Sequence, residues 1–412
     1  MIDWGRRAAR LVAELAACSE PGPGVSRFPF TPEHRAALEL LRGQMEALDL
    51  TVRLDDAGTL IGRLEGPPGS KVVLIGSHQD SVREGGAYDG IMGVVLPLLA
   101  LAKLRAEGTR LPYSVEVLAF ADEEGVRFPT ALIGSRALAG TFDPAVLSLC
   151  DGQGVALGDA MRAFGLAPDR IGGLARDPGD VIGFLEVHIE QGPVLERAGE
   201  ALGVVTAISG IERHQVEVIG ETGHAGTMPM AGRRDALVTA AAIVTEVDRL
   251  GQTIPDLRAT VGAMRVEPNV VNAVPRRVRL TAEFRAPDDA TRRDAGEGFH
   301  RFLEDLAKAR GTVVTATRTY AQAARPSDEA LSAHLARAAR DAGSRGLLLP
   351  SGATHDASAM ADLCPIAMLF VRCRDGVSHT PEEFATAEDM GAAVGVLASF
   401  LAAPGLAEGQ GG

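Results

Sequence analysis

Four short apolar runs, each followed directly by a segment rich in glycine, histidine and acidic residues, constrain the fold most strongly. They occupy residues 72–75, 115–120, 184–189 and 366–371. Runs of this length suit strands buried on both faces of a mixed, mostly parallel sheet flanked by helices. In such sheets, sites form beyond the carboxyl ends of the strands. The chain is therefore predicted to be an α/β protein with its site at that edge.

A second pattern lies between the third and fourth runs. Strands are predicted at 216–219, 260–266, 277–285 and 312–319, with helices at 233–250 and 290–309. This βαββαβ order describes a compact α+β, ferredoxin-like insert with a four-stranded antiparallel sheet. The predicted domains are 1–211 with 323–412, and the insert 212–322.

Outside these patterns, an amphipathic helix is predicted over 1–17 and another over 32–48, followed by a hairpin that turns at 55–58. The tail 404–412 is predicted to be frayed. The helix over 1–17 carries charges among its apolar residues, unlike a secretory signal, and no stretch reaches the roughly 18 apolar residues of a membrane span. A cytoplasmic location is expected, with no membrane partner.

Charge and cysteine content exclude further classes. The net charge is −13 and aromatic residues make up 4% of the chain, so neither the basic surface nor the stacking platforms of a nucleic-acid-binding protein are expected. The four cysteines have no CxxC spacing, so a disulfide framework or a thiolate zinc site is not expected.

The first polar segment places His78, Asp80 and Asp89 after the run 72–75. Imidazole and carboxylate suit a cation such as zinc, and a carboxylate can bridge two ions. We predict that His78 and Asp89 are ligands and that Asp80 accepts the other ring N–H of His78. The alternative is an ordinary polar turn, which would contain the same residue types without binding a metal.

The second segment places Asp122, Glu123 and Glu124 after the run 115–120. Adjacent acids at a strand exit repel one another unless a cation compensates them. In extended backbone Glu123 and Glu124 point to different sides, so Glu124 is predicted to bind metal and Glu123 to act as general base. A solvated acidic turn is the alternative.

Two histidines complete the pattern. His188 lies near the end of the run 184–189, and His379 follows the run 366–371. Either histidine alone would be read as structural, but the same placement after four apolar runs favours a shared site. We assign His78, Asp89 and His188 to one ion, and Asp89, Glu124 and His379 to a second.

Five segments together resemble the amidase, hydantoinase and carbamoylase family of binuclear metallohydrolases. They read GSHQDSVREGGAYDG, ADEEGVRF, HIEQGPVLE, GHAGTMPM and GVSHTPEEF, in the family's order over about residues 70–385. The family is similar to the aminoacylase and carboxypeptidase metallopeptidases, so the resemblance implies a zinc-exopeptidase-like fold. It also implies the ligand set above, two zinc, manganese or cobalt ions, and cleavage of a ureido C–N bond. His188 stands where the peptidase relatives have an aspartate.

The resemblance implies further roles in a lid and dimerisation domain, the insert. His224 matches the histidine that stabilises the oxyanion, reaching the site of a partner subunit in a homodimer. Asn272 and Arg285 match positions that hold the substrate carboxylate, and an arginine fork suits that anion. Further substrate-side positions are Gln191, Gly352 and His355, although His355 could instead be structural. Glu283 and Thr354 depart from the family's usual residues.

The resemblance implies that Glu123 deprotonates a water molecule between the ions, and that this water attacks the ureido carbon. The expected partner is a small ureido substrate with a carboxylate. Allantoate is the preferred substrate, because the segments HQDSV and GATHDASAM resemble those of bacterial allantoate amidohydrolases. The alternatives are an N-carbamoyl-L-amino acid hydrolase and a β-ureidopropionase. From another class, the alternative is a non-catalytic dimeric binding protein.

Overall fold

The computed structural model describes residues 2–403 and Leu406. Apart from Leu406, the predicted frayed tail 404–412 lies outside the described residues. The chain divides into two compact units. Unit 1 comprises Met1–Thr206, Ser327–Leu349 and Thr354–Gly412, and unit 2 comprises Ala207–Pro326 and Pro350–Ala353. The predicted insert, 212–322, falls within unit 2.

The elements follow one another in three stretches. The first contains α1 (Trp4–Ala16), α2 (Pro32–Glu46), β1 (Thr51–Leu54), β2 (Leu60–Leu64), β3 (Val72–His78), α3 (Met92–Ala106), β4 (Ser114–Phe120), α4 (Ile133–Ala139), α5 (Leu157–Ala163), β5 (Val181–Ile189), α6 (Val194–Ala198) and β6 (Leu202–Ile208). The second contains β7 (Gly210–Ile219), α7 (Ala236–Thr253), β8 (Arg258–Thr260), β9 (Met264–Glu267), β10 (Arg277–Ala286), α8 (Asp289–Arg310), β11 (Val313–Gln322) and β12 (Arg325–Pro326). The third contains α9 (Glu329–Asp341), β13 (Leu347–Ser351), α10 (Asp356–Met360), β14 (Ile366–Val371) and α11 (Ala387–Ala402). Short 3-10 helices occupy Pro144–Ser148, Pro168–Gly173, Pro178–Asp180 and Arg374–Gly376.

The larger sheet has the strand order β1-β2-β4-β3-β5-β14-β6-β12, and β13 also pairs with β6. Its four central strands, β4, β3, β5 and β14, are mutually parallel, while the outer pairs β1-β2, β2-β4, β14-β6 and β6-β12 are antiparallel. Every residue of the central strands is buried. These strands are the four apolar runs, so the predicted α/β class with a flanked sheet is confirmed.

The helices around this sheet explain why its strands can be so apolar. Helix α3 packs on β3, β4 and β5, and α1 and α11 pack against α3. Twelve residues of α3 are buried, including Pro97 inside the helix. A helix enclosed on nearly all sides has no polar face, which is why its sequence shows no amphipathic period.

Unit 2 contains a separate antiparallel sheet in the order β11-β7-β10-β8, with β9 also on β10. Helices α7 and α8 pack on β7 and β10 and enclose a second apolar core. The prediction of one strand over 260–266 is wrong, because β8 and β9 occupy successive parts of the same edge of β10. Between them the Ala263 main-chain N–H donates to the Thr281 hydroxyl at 3.1 Å, which interrupts the ladder.

Among the helices of residues 2–403, none has the length and apolar character needed to cross a lipid bilayer.

Candidate metal centre

The carboxyl ends of the four central strands bring the predicted ligands together. His78 is the last residue of β3, and His188 lies one residue before the end of β5. Glu123 and Glu124 follow β4, His379 follows β14, and Asp89 lies in the loop that leads into α3. Parallel strands end at one edge of a sheet, so residues up to three hundred positions apart become neighbours.

Asp89 lies at the middle of this group. Its Oδ1 is 3.0 Å from His188 Nε2 and 3.4 Å from His78 Nε2. Its Oδ2 is 3.2 Å from His379 Nε2. The two oxygens thus face different histidines, which is the arrangement expected of a carboxylate that bridges two ions.

We call His78, Asp89, Glu124, His188 and His379 the ligand cluster. In the part of the chain that the structure describes, ligand atoms within 4.8 Å of one another form three groups: His78, Asp89 and His188; Asp89, Glu124 and His379; and His78, Glu123 and Glu124. The first two groups match the two sets assigned from the sequence. Nitrogen and carboxylate oxygen donors in this mixture suit zinc, manganese or cobalt.

The hydrogen bonds also leave room for a cation. Glu124 Oε1 is buried and accepts no hydrogen bond among the described residues. The nearest histidine nitrogen, His379 Nε2, is 3.8 Å away. A buried carboxylate oxygen without a donor is costly in free energy unless something positive binds it, so these residues fit a metal ion.

The charge of the cluster displaces the pKa values in a consistent way. Burial, with Asp89 nearby, raises the pKa of Glu124 to about 7. The hydrogen bond to Asp89 raises the pKa of His379 to about 9. Burial lowers the pKa of His78, but Asp80 and Asp89 outweigh it and hold that pKa well above its usual value. The site as a whole attracts positive charge.

The predicted role of Asp80 needs a correction. The Nδ1 of His78 lies 3.0 Å from the main-chain oxygen of Asp80, whereas the Asp80 carboxylate is 3.6 Å away. That carboxylate instead accepts the main-chain N–H groups of Glu123 at 3.1 Å and Glu124 at 3.2 Å. The contact differs because the acidic turn after β4 places two amide donors in front of the Asp80 side chain. Asp80 thus fixes that turn, and its carbonyl orients His78.

Glu123 lies beside the ligand cluster and is 8% exposed. Asp122, which precedes it, has a φ of 56° in the left-handed region, so the chain turns sharply where β4 ends. Burial raises the pKa of Glu123 well above its usual value, with His78 acting against the shift. A carboxylate in this position takes up a proton more readily than an exposed one, as a general base must.

Three residues around Asp89 have contacts that the sequence does not predict. Gln191 Nε2 donates to Asp89 Oδ2 at 2.8 Å, so its amide contacts the ligand cluster directly. Ser378 Oγ lies between Asp89 and the buried carboxylate of Glu383. Ser378 and Glu383 belong to the motif GVSHTPEEF, but nothing in that motif indicates a partner almost three hundred residues away.

Two further buried residues lie behind the cluster. The ring of His355 packs on His188, with ring centres 4.5 Å apart, and burial lowers the pKa of His355 well below its usual value. Glu186, which the sequence reasoning missed, accepts from the Ser77 hydroxyl at 2.7 Å and from the main-chain N–H of Ala357 at 2.8 Å. Its position two residues before His188, on the same face of β5, was the available signal.

The other predicted residues lie in unit 2. His224 and Asn272 are exposed on two loops joined by a bridge between His224 and Ala273. The Nδ1 of His224 accepts the main-chain N–H of Gly226 at 3.2 Å, so in the neutral ring the proton is on Nε2.

Arg285, also in unit 2, is held at two points. Its Nε donates to Glu283 at 2.8 Å, and its Nη1 donates to the Gly352 carbonyl at 2.7 Å. Arg213 bonds to the other oxygen of Glu283. No acceptor among the described residues bonds to Arg285 Nη2, so this nitrogen is available to bind an anion.

Comparison with known proteins gives consistent matches. The chain matches "Peptidase family M20/M25/M40" over residues 74–403. It is 39% identical over 411 residues to an N-carbamoyl-L-amino acid amidohydrolase of Geobacillus stearothermophilus, with 100% of each chain covered. It is 36% identical over 420 residues to an allantoate deiminase of Arabidopsis thaliana, covering 94% of this chain and 80% of the plant chain. The crystal structure of an amidase of the hydantoinase/carbamoylase family from Burkholderia multivorans matches with a TM-score of 0.91 and 33% identity, covering 96% and 97% of the two chains.

Proposed function

Because the chain belongs to peptidase family M20/M25/M40, we propose that it is a metal-dependent amidohydrolase that cleaves a ureido C–N bond. The resemblance to hydantoinase and carbamoylase amidases inferred from the motifs is confirmed by the relatives. The observation that carries the proposal is the ligand cluster, in which Asp89 belongs to two overlapping groups of donors. A non-catalytic binding protein would have no need of this cluster together with Glu123.

The cofactor we propose is a pair of divalent ions, zinc, manganese or cobalt. His78, Asp89 and His188 would hold one ion, and Asp89, Glu124 and His379 the other. When bound, such ions acidify a water and polarise a carbonyl oxygen. Their positive charge would also compensate the carboxylates that repel one another in this cluster.

Glu123 is the general base and acid of the proposed reaction. It takes a proton from the water that attacks the ureido carbon, and returns it to the leaving nitrogen as the C–N bond breaks. A carbamoyl substrate then yields an amine, ammonia and carbon dioxide. Burial of Glu123 supports this role, because its raised pKa lets one carboxylate both accept and release a proton.

His224 is proposed to stabilise the oxyanion. Since its Nδ1 accepts a main-chain N–H, its Nε2–H is available as a donor toward the developing negative charge. We propose that unit 2 acts as a lid and dimerisation domain, so that His224 serves the site of a partner subunit in a homodimer.

The substrate carboxylate is proposed to bind Arg285 and Asn272. The guanidinium is already held by Glu283 and Gly352, which reduces the entropy lost when it binds an anion. Gln191, Gly352 and His355 are proposed to line the substrate side of the site. The contact of Gln191 with Asp89 supports this placement for Gln191.

Allantoate is our first candidate substrate, from the segments HQDSV and GATHDASAM and the similarity to the plant allantoate deiminase. N-carbamoyl-L-amino acids are the second candidate. They are favoured by the Geobacillus relative, which aligns over the full length of both chains.

The test is an assay of ammonia release from allantoate, N-carbamoyl-L-amino acids and 3-ureidopropionate, each with zinc, manganese or cobalt added to metal-free protein. We expect turnover of at least one ureido substrate that depends on added metal. Absence of turnover with every substrate and metal would contradict the proposed reaction, and the preferred substrate decides between the candidates.

A further inference from the structure

Glu383 is a buried carboxylate next to the ligand cluster to which the proposed reaction assigns no role. It lies in the loop after β14 and is 3% exposed. Its Oε1 accepts the main-chain N–H groups of Tyr88 and Asp89, both at 3.0 Å. One side-chain oxygen therefore fixes the backbone of the residue that is shared by the two donor groups.

The other oxygen of Glu383 binds the opposite side of the cluster. Ser378 Oγ, which belongs to the residue before His379, donates to Glu383 Oε2 at 2.8 Å. The same hydroxyl lies 3.1 Å from Asp89 Oδ2, but it has only one proton to donate. The shorter contact assigns that proton to Glu383, which leaves the lone pairs of Asp89 Oδ2 more available for a cation.

The loop before Asp89 is shaped to fit this carboxylate. A Cβ at Gly86 would lie 2.1 Å from Glu383 Oε1, closer than any side chain allows. Glycine at this position lets the loop close over Glu383, so the contact with residues 88 and 89 depends on both partners.

His379 is the ligand that most needs such support. Its side chain is 49% exposed, whereas those of His78 and His188 are 2% and 1% exposed. Its φ is 60°, in the strained left-handed region. The two buried histidines lie in strands and are oriented by main-chain carbonyls, but His379 lies in a loop that Ser378 and Glu383 tie to Asp89.

We propose that Glu383 is a positioning residue for one of the two metal ions, the one held by Asp89, Glu124 and His379. It ties the Asp89 loop to the His379 loop and sets the distance between these two ligands. The ion held by His78, Asp89 and His188 depends on Glu383 much less, because both of its histidines are anchored elsewhere. This inference rests on the proposed two-ion centre.

The experiment titrates metal-free protein with zinc or manganese and measures the number of ions bound and their dissociation constants. In Glu383→Gln the amide keeps the shape of the side chain but cannot accept both the main-chain N–H groups and the Ser378 proton. We expect the dissociation constant of one ion to rise by about 10- to 100-fold, the range for residues that orient ligands, while the dissociation constant of the other ion rises much less. Glu382→Gln, at the exposed neighbouring position, is the matched control and should bind both ions as the wild type does.

A second variant keeps the inference testable if Glu383→Gln does not fold. Ser378→Ala removes only the hydroxyl between Glu383 and Asp89, and it should weaken the same single ion. The inference would be overturned if Glu383→Gln bound both ions with unchanged affinity. If Glu383→Gln does not fold, the same result for Ser378→Ala would overturn it. So would an equal weakening of both ions together with a lower melting temperature of the metal-free protein, because that result indicates a general structural role.

The outcome for the wild-type chain separates this inference from the proposed function. If the wild type binds two ions and the variants behave like it, only the role of Glu383 falls. If the wild type binds no ion, the two-ion centre falls and the inference falls with it.

Discussion

Each unit contains a buried group of charged side chains, and the two groups differ in how their charges are paired. In unit 2, Glu212 has one oxygen 2.8 Å from His214 Nε2 and the other 3.1 Å from Arg292 Nη1. Arg292 also contacts Asp289 at 3.0 Å. We call these four residues the arginine cluster. Both oxygens of its buried glutamate have cationic or donor partners from the chain itself.

The ligand cluster of unit 1 has no such balance. Asp89, Glu123 and Glu124 lie together. Among the described residues, the ion pairs of Asp89 and Glu124 are with histidines. Glu124 Oε1 has no hydrogen-bond donor within the described part of the chain, and burial raises the pKa values of both Glu123 and Glu124. A buried cluster that neutralises itself stabilises the fold, whereas one with residual negative charge and an unsatisfied oxygen is suited to bind a cation.

Metal removal should produce the largest difference between the two clusters. Chelation, followed by dialysis, should abolish hydrolysis and lower the melting temperature, because ions that bind only the folded state at 1,000 times their dissociation constant stabilise it by about 4 kcal/mol. Activity and melting temperature should both return when metal is restored. The comparison fails if full activity persists at a measured metal content near zero.

The next largest effect distinguishes the role of Glu123 in catalysis from the role of the neighbouring residues in metal binding. Glu123→Gln should reduce kcat by about 10²- to 10⁴-fold, the usual contribution of a general acid-base group, while metal content stays at the wild-type value. Steady-state kinetics and metal analysis on the same preparation check both statements. The matched variant Glu124→Gln should lose metal as well as activity, and equal metal loss in the two variants would contradict the separate roles.

Breaking the arginine cluster should affect stability instead of metal binding. Arg292→Met leaves Glu212 buried without its strongest cation, which should lower the free energy of unfolding by about 3–5 kcal/mol. Denaturant titration measures this loss, and metal analysis should show an unchanged ion content. The double variant Arg292→Met with Glu212→Gln should recover part of the loss, because no unpaired charge remains. If Arg292→Met were as stable as the wild type, Arg292 would not be neutralising the buried charge of Glu212, contrary to what the geometry indicates.

The sequence predicts the centre of unit 1 well for a physical reason. Strands β3, β4, β5 and β14 are buried on both faces, so each appears as a mainly apolar run with its site residues at or after its carboxyl end. Helix α3 and strand β6 carry no such signal. The helix is enclosed on nearly all sides and so lacks a period, and β6 has no polar site segment of its own.

Residue types at the candidate site are predictable from the sequence, but their contacts are less so. The predicted ligands lie together because each lies at or beyond the carboxyl end of a central strand. The bond from Asp80 to the amides of the acidic turn and the bonds of Glu383 to the Asp89 loop depend on loop shapes set by glycine and left-handed residues. Neither periodicity nor spacing specifies which loops meet, so Glu383 could be found only in three dimensions.

The smallest predicted effect concerns His34 in unit 1, which has an unsatisfied buried atom and lies near charges of opposite sign, Asp80 on one side of the balance and Arg27 and Arg35 on the other. Its Nδ1 accepts the main-chain N–H of Phe30 at 2.9 Å, its ring stacks on Phe164, and its buried Nε2 has no hydrogen-bond partner among the described residues. Burial lowers its pKa to about 3. Between pH 6.5 and 3 the unfolded chain therefore binds a proton that the folded chain does not, so stability falls as the pH falls. From pH 7 to 5.5 this costs about 1 kcal/mol.

His34→Asn keeps a side-chain acceptor near Phe30 but cannot take up that proton. The variant should be less stable at pH 7, because it loses the stacking on Phe164, yet its free energy of unfolding should fall by about 1 kcal/mol less than the wild type's between pH 7 and 5.5. Denaturant titrations of metal-free wild type and variant at the two pH values measure this difference in the free energy of unfolding. The contributions of the other titrating groups are the same in both proteins and cancel in the comparison. Equal losses would mean that His34 is already charged in the folded state. In that case the unsatisfied nitrogen of His34 would attract positive charge, as the unsatisfied oxygen of Glu124 does. An unsatisfied buried atom would then not identify a cation site by itself, and only the carboxylates around Glu124 would distinguish the ligand cluster from the surroundings of His34.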